Sequence, residues 1–289
     1  MKKIAIILFM LCFVSMNSSS QNTENKISTH FVKINEYRKL FGNDLSKVSK
    51  KDFVYNQGDT LIKFKGIVTP YEFKDSTFLD IYKDVVYRKN RKFKGSTKPI
   101  MTLWDGPIKI FFSKSVDTTF RNSIIEVSNV LSRQIDSLNI SFVDDIEKSN
   151  YIIYQIDKDN KYKYSKNIKN NRFIDYYSYW NQHKIYDTKF EINVSKIKNP
   201  RKVKPYVVQY FLRSLGHFDI TKKLSCEHMF SRCLKSKKKL SDIDIEIIKY
   251  HYSYGICKWT DLSTFEENHK RAKEALEKGN RLTFLHPIK

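Results

Sequence analysis

The chain has 289 residues, of which 40% are hydrophobic and 29% are charged, and its formal net charge is +22. That length suits one medium domain with an extension, or two small domains. The sequence contains no Gly-rich phosphate loop and no Gly-x-Ser-x-Gly motif, which excludes the enzyme classes that depend on them. The lysines are scattered, and only residues 235–239 and 89–94 form dense basic patches, which we interpret as solvated loops.

Residues 1–20 are typical of a cleavable secretory signal. Two lysines precede an apolar run at residues 4–14, and Ser18 and Ser20 supply small side chains for cleavage before Gln21. The apolar run is shorter than the roughly 20 residues that a membrane-spanning helix needs. Cleavage would lower the net charge of +22 by two.

We therefore expect an exported protein that is periplasmic, surface-located or secreted, with no transmembrane segment after cleavage. Lipid anchoring at Cys12 is the alternative. It is less favoured because residues 9–11 are larger than those that usually precede a lipidated cysteine.

Three cysteines follow the signal: Cys226, Cys233 and Cys257. In an oxidising compartment one pair is expected to form a disulfide and leave an odd thiol. The short loop from Cys226 to Cys233 makes that pair the first choice. A bridge from either of them to Cys257 is the alternative.

Residues 21–98 are predicted to form an N-terminal extension, with a small β-rich subdomain as one interpretation. A hairpin is predicted at residues 53–68, turning at residues 56–59. The extension is expected to end near the linker at residues 95–99.

Residues 99–260 carry the clearest secondary-structure signals. Strands are predicted at residues 108–112, 140–143, 151–156, 174–180 and 185–194. Asp117 is the predicted N-cap of a helix whose apolar residues are Phe120, Ile124, Val127, Leu131 and Leu138. The alternation of strands and helices predicts an α+β domain.

Three more helices are predicted towards the C terminus. The first covers residues 206–215 and carries an apolar stripe of Val208, Phe211, Leu212 and Leu215. The second begins after Ser241 as N-cap. The third lies in residues 261–289, begins at a capping box of Ser263 and Glu266, and ends at Gly279.

Residues 207–219 resemble the active-site helix of the metzincin-type zinc proteases, His-Glu-x-x-His-x-x-Gly-x-x-His, with Gly216 at the motif glycine. Met229 falls where that family has its methionine turn, and residues 240–244 resemble its Leu-Ser-x-x-Asp helix start. The resemblance covers roughly residues 100–262. It implies a zincin-like α+β domain with a twisted mixed sheet and an edge strand, packed on an N-terminal helix and a former active-site helix.

The residues that would bind zinc and activate water are replaced. Gln209 and Arg213 occupy the first two histidine positions, Tyr210 the glutamate position and Asp219 the third histidine position. An amide is a poor zinc ligand, a phenol is no carboxylate base and a guanidinium repels a metal. The chain is therefore similar to exported bacterial proteins that keep the metzincin-like frame without its histidines, and no catalytic residue or cofactor is expected.

Two interpretations of this segment remain open. The first is a relocated metal site, for which His217 and His228 are the metal candidates. The cluster of potential ligands around them is His217, Asp219, Cys226, Glu227, His228 and Cys233. The second is purely structural: Cys226 and Cys233 form a disulfide and His217 caps the helix. In that case Arg213 and Asp219 form an ion pair, with Gln209 in the same network, in place of the metal.

The leading hypothesis is a non-catalytic exported protein with a binding or structural role, whose cleft beside the edge strand suits an extended peptide or a protein segment. A metal-dependent hydrolase with a relocated site is one alternative. The other is a basic surface protein that binds an anionic polymer. Export makes nucleic acid an unlikely partner.

Overall fold

The computed structural model describes residues 14–18, 52–57, 60–88, 99–169, 172–197, 203–233 and 238–287, which divide into two compact units. The larger unit consists of Lys74–Ser253 and Trp259–Ser263. The smaller unit contains the described residues up to Phe73, Tyr254–Lys258 and the chain from Thr264 onward. This division differs from the expected boundary near residue 98.

The elements are, in chain order, β1 (Val14–Ser18), β2 (Asp52–Gln57), β3 (Thr60–Pro70), α1 (Ser76–Tyr87), β4 (Leu103–Trp104), β5 (Ile108–Phe112), α2 (Thr118–Gln134), β6 (Ile140–Phe142), β7 (Tyr151–Ile156), β8 (Ile174–Asn181), β9 (Lys184–Asn193), α3 (Lys204–Ser214), α4 (Asp242–Tyr252), α5 (Leu262–Glu277) and β10 (Asn280–Pro287). Short 3-10 turns lie at Ile146–Lys148 and Val194–Lys196. The protein is mixed α and β, as the sequence predicts.

The larger unit is built on a mostly parallel sheet in the order β4-β9-β7-β5-β6, with β8 also paired to β9. Only β8 runs antiparallel to its neighbour in the described part of this sheet. Because β8 pairs with β9 alone among the described strands, it forms an edge. The five strands predicted from the sequence are all present, with small differences at their ends.

Helices α2 and α3 pack against each other, and α3 also packs against β8. Asp117 caps α2 as predicted, since its carboxylate accepts the Thr119 backbone N–H at 2.7 Å. The predicted apolar stripe of α3 is buried, from Val208 to Leu215. Burial of this stripe accompanies the packing of α3 against α2 and β8.

Helix α1 was not predicted. It lies within residues 21–98, which the sequence indicated to be an extension, yet it belongs to the larger unit. Asp75 caps it by accepting the Phe78 backbone N–H at 2.9 Å, and Tyr82, Val85 and Tyr87 are completely buried. The buried residues of α1 recur at helical spacing, so the sequence contains this periodicity. The pattern is hard to recognise because two of the buried residues are tyrosines, Tyr82 and Tyr87.

The smaller unit contains an antiparallel sheet in the order β1-β10-β3-β2. The predicted hairpin is confirmed, because β2 pairs with β3 from Asp52↔Lys65 to Gln57↔Thr60. Strand β10 was missed. Strand β1 lies inside the expected signal peptide and pairs with β10, so cleavage before Gln21 would remove it.

The N-terminal ends of α4 and α5 can be compared with the two caps predicted from the sequence. Ser241 caps α4 in a capping box with Asp244, as predicted for its N terminus. Helix α5 begins at Leu262, and the Ser263 hydroxyl donates to Asp261 at 2.9 Å, so the predicted capping box of Ser263 and Glu266 is wrong. In the described part of the chain, no helix is long and apolar enough to cross a membrane.

Candidate functional site

Gln209, at the first histidine position, is used to hold a neighbouring loop. It is 4% exposed, and its side-chain amide donates to the backbone carbonyls of Met229 and Ser231, the second at 3.3 Å. The amide nitrogen is therefore committed to the backbone of the loop that contains the predicted methionine turn. The sequence suggested that Gln209 shares a network with the side chains of Arg213 and Asp219. Instead, its amide bonds to the Met229 loop.

Arg213 and Asp219 form the ion pair that the sequence suggested. Nη2 of Arg213 lies 3.8 Å from Oδ1 of Asp219, whose side chain is only 3% exposed. Nε of Arg213 also donates to the carbonyl of Phe218 at 3.1 Å. A buried carboxylate needs such a partner, because desolvation of an unpaired charge is costly. A guanidinium and a carboxylate thus occupy the second and third histidine positions.

Tyr210, at the glutamate position, faces the edge strand. Its ring lies 6.5 Å from that of Tyr176 on β8 in an edge-to-face arrangement, and the guanidinium of Arg213 lies 5.0 Å from its centroid. Both are packing contacts of the ring, an aromatic pair and a cation–π contact.

Gly216 is required where α3 ends. A Cβ at this position would lie 2.7 Å from the Phe218 ring and 2.8 Å from Nε2 of His251, closer than real Cβ contacts allow. His217 follows with φ of 52°, and the Phe218 N–H donates back to the carbonyl of Arg213 at 2.9 Å. His217 therefore takes the left-handed position that ends the helix, as its proposed capping role requires.

The His217 ring is largely enclosed, and no described residue forms a hydrogen bond with it. Its Nε2 atom is buried and unbonded, and its ring lies 6.4 Å from that of Tyr176. Burial above all, together with the nearby charges of Arg88 and His183, lowers the pKa of His217 to about 4. His217 is therefore neutral at physiological pH.

Three side chains, those of Gln209, Asp244 and Lys238, hydrogen-bond to the backbone of the loop around Met229. Both carboxylate oxygens of Asp244 accept backbone N–H groups at 3.0 Å, from Met229 and Phe230. Lys238 is 4% exposed and donates to the carbonyls of His228 and Ser231 at 3.0 and 2.7 Å. The interpretation of residues 235–239 as a solvated loop is therefore wrong for Lys238. Residues 89–94 and 234–237 lie outside the described residues.

The predicted bridge between Cys226 and Cys233 is confirmed, with Cα atoms 4.9 Å apart. Cys257 is buried and is disulfide-bonded too, so the described residues contain no free cysteine and the expected odd thiol is absent from them. The Cys226 and Cys233 sulfurs are therefore not available as metal ligands.

His228 has a structural partner. Its Nδ1 lies 2.7 Å from the Ser241 hydroxyl, and its Nε2 lies 3.9 Å from the Glu227 carboxylate. Within the described ranges, no three His, Cys, Asp or Glu side chains are placed to hold a metal ion. The contacts of His228 and the Cys226–Cys233 bridge therefore favour the structural interpretation of the segment from residue 217 to residue 233.

The sheet edge beside α3 carries exposed aromatic rings. Tyr177 and Trp180 on β8 are 39% and 50% exposed, and Tyr186 on β9 is 55% exposed. The Trp180 ring stacks on His183, with centroids 5.3 Å apart. Exposed aromatic side chains next to a strand edge that no described strand pairs with are typical of recognition surfaces.

No protein-family model matches the chain, and no curated protein matches it either.

Proposed function

We propose that the protein is an exported, non-catalytic binding protein on a metzincin-like frame, which holds an extended peptide along β8. The observation that carries this proposal is the ion pair of Arg213 and Asp219 at two of the three ligand positions. A cation fixed at a ligand position repels a metal ion, and the carboxylate that could attract one is neutralised by it.

The arrangement of elements supports the metzincin-like frame. Strand β5, helix α2, the parallel strands β6 and β7, the antiparallel edge strand β8, its neighbour β9 and then α3 follow one another, which agrees with the mixed sheet, edge strand and later helix that the resemblance implies. The Met229 loop lies against Gln209 of α3, and Asp244 at the start of α4 holds that loop. These contacts link the three segments on which the resemblance rests.

The replaced residues leave no route to metal-assisted hydrolysis at these positions. Such hydrolysis needs a metal-bound water and a carboxylate base. The Gln209 amide donates to backbone carbonyls, Tyr210 packs against Tyr176, and Arg213 is paired with Asp219. Each side chain has a structural contact in place of the catalytic one.

An extended peptide is the ligand that the edge strand suits best. Among the described strands β8 pairs only with β9, so its outer backbone groups can pair with an added strand. The exposed rings of Tyr177 and Trp180 provide contact area for alternate side chains of such a peptide.

Selection from a random nonapeptide library tests this proposal. We expect bound peptides to be recovered intact by mass spectrometry. The best binder is then made with its alternate backbone nitrogens methylated, in two complementary frames. One frame should lose binding and the other keep it, because only every second N–H faces the neighbouring strand.

Two substitutions provide a matched comparison. Trp180→Ser should weaken binding of the selected peptide, whereas Tyr162→Ser, at an exposed ring outside the described strands, should not. Cleaved peptides, equal binding of both methylated forms, or the lack of any bound peptide would contradict the proposal.

A further inference from the structure

Strand β10 of the smaller unit has a neighbouring strand, β1, that lies inside the expected signal peptide. The two strands pair antiparallel over the five residues of β1. On its other side β10 pairs with β3, but only from Thr283 onward. Within the described part of the chain, residues 280–282 therefore have β1 as their sole strand partner.

The side chains of β10 along this pairing are buried. Leu282 and Phe284 are 2% and 0% exposed, and the Phe284 ring lies 5.9 Å from the ring of Tyr71 in the same unit. The register puts Met16 opposite Leu282 and Val14 opposite Phe284. Because residues opposite each other in antiparallel strands share a face, a strand that fits here has apolar residues at two alternate positions.

Cleavage before Gln21 would remove β1 and leave β10 at the edge of the sheet. Buried backbone N–H and C=O groups need hydrogen-bond partners, and an apolar strand edge tends to pair with another chain. An edge that carries Leu282 and Phe284 therefore needs a replacement strand.

We propose that β10 of the exported protein accepts an extended segment of a partner protein in the place of β1. The segment runs antiparallel to β10 and carries apolar side chains at two alternate positions, as β1 does. This inference rests on removal of the signal, which belongs to the proposed function, but not on peptide binding along β8. It adds a second strand-accepting edge, which lies in the smaller unit.

Charge disfavours a second copy of the chain as this partner. After cleavage each chain would carry two positive charges fewer than the +22 of the full sequence, so two copies repel each other. A segment of a less basic protein meets less repulsion. We therefore assign the edge to a different protein, and a dimer of this chain is an outcome that the test can detect.

The first measurement is the N-terminal sequence of the exported protein. We expect it to begin at Gln21. An exported protein that retains Val14–Ser18 would overturn this inference, because β10 would remain paired with β1. That result would leave the proposed binding along β8 unaffected.

The second measurement uses a dye-labelled peptide with the sequence of residues 13–19 as the probe. It is titrated into the mature chain, residues 21–289, and followed by fluorescence anisotropy; we expect saturable binding of one peptide per chain. Met16→Asp in the probe should weaken binding about tenfold or more, because a charge would replace the apolar residue opposite Leu282. Asn17→Asp is the matched control. It adds the same charge at a position that alternation places on the other face of the sheet, and should have little effect.

Hydrogen exchange locates the bound probe and distinguishes the two strand edges. The probe should slow amide exchange in residues 280–284, where β1 pairs. Trp180→Ser, which alters the β8 edge, should leave the affinity for the probe unchanged. Failure of the probe to bind would overturn the inference, because the edge would not accept a strand. A mature dimer that the probe separates into monomers would also overturn it, because the edge would then belong to a second copy.

If the mature chain does not fold alone, the probe is added during refolding. The probe should then raise the yield of folded protein, measured by size-exclusion chromatography, and the Met16→Asp peptide should not. Equal yields with the two peptides would overturn the inference.

Discussion

Arg213 decides what the end of α3 can bind. Its guanidinium contacts Asp219, the carbonyl of Phe218 and the ring of Tyr210, so its position is set by three different groups. A histidine at this position would be short, neutral and free to bind a metal. The arginine instead supplies the positive charge that the buried Asp219 needs.

The sequence suggested this ion pair as part of one of two open interpretations, but it did not suggest the surroundings of His217. The pair follows from local spacing, because Gly216 ends the helix and returns the chain, bringing Asp219 back towards Arg213. The His217 ring lies beside Tyr176 of β8, which is distant in the sequence. Such contacts cannot be derived from the spacing of residues within α3.

The neutral His217 predicts a pH dependence of stability. Its pKa of about 4 in the folded protein lies below the ordinary value of 6.5, so the unfolded chain binds the proton more tightly. The contribution of His217 is full above pH 6.5 and is lost as pH falls towards 4. At pH 4.5 the loss is about 2 kcal/mol.

Urea unfolding between pH 7.5 and pH 4.5 measures this loss. The matched variant is His217→Asn, which keeps a residue suited to the left-handed position. Between the two pH values, the variant should lose about 2 kcal/mol less than the wild type. Equal losses in the two proteins would show that His217 is not held neutral.

At the scale of elements, the Met229 loop shows how side chains satisfy the hydrogen-bonding groups of buried backbone. Asp244 accepts two N–H groups, while Gln209 and Lys238 donate to carbonyls. The loop therefore joins α3 to α4 through side chains from both. Sequence patterns predicted Met229 and the α4 cap, but Lys238 was hidden within a run of lysines whose composition indicates solvent exposure.

Lys238→Met should lower the free energy of unfolding by about 2 kcal/mol, because it removes two hydrogen bonds from a charged donor to buried carbonyls. Chemical denaturation at pH 7 measures the change. Lys239→Met is the matched control, because the side chain of Lys239 is exposed. This substitution should have little effect on the free energy of unfolding. Equal effects of the two substitutions would mean that the Lys238 contacts contribute nothing.

Strands were easier to predict than the parts of the fold that bring distant segments together. The strands of the larger unit have apolar or aromatic runs that identify them individually. Helix α1 and strand β10 lie in segments judged to be an extension and a tail, and their burial depends on partners elsewhere in the chain. The helical periodicity of α1 is present in the sequence, but the pairing of β10 with a strand more than 200 residues earlier has no local signature.

For the whole molecule, export and the lack of a metal site are linked proposals. The Cys226–Cys233 bridge fits an oxidising compartment, and the expected signal ends before Gln21. Outside the cytosol, an exported chain is exposed to zinc that the cell does not regulate. The replacement of the ligands, and not a low zinc concentration, would then keep the site at Arg213 and Asp219 free of metal.

The most direct test of the account is the metal content of the purified, oxidised protein. The protein is incubated with zinc, desalted and analysed by inductively coupled plasma mass spectrometry, alongside His217→Asn and His228→Asn variants. The account predicts far less than one zinc per chain in all three proteins, because Arg213 and Asp219 neutralise each other at two positions where the resemblance implies zinc ligands. One zinc per chain in the wild type, lost in either variant, would contradict it.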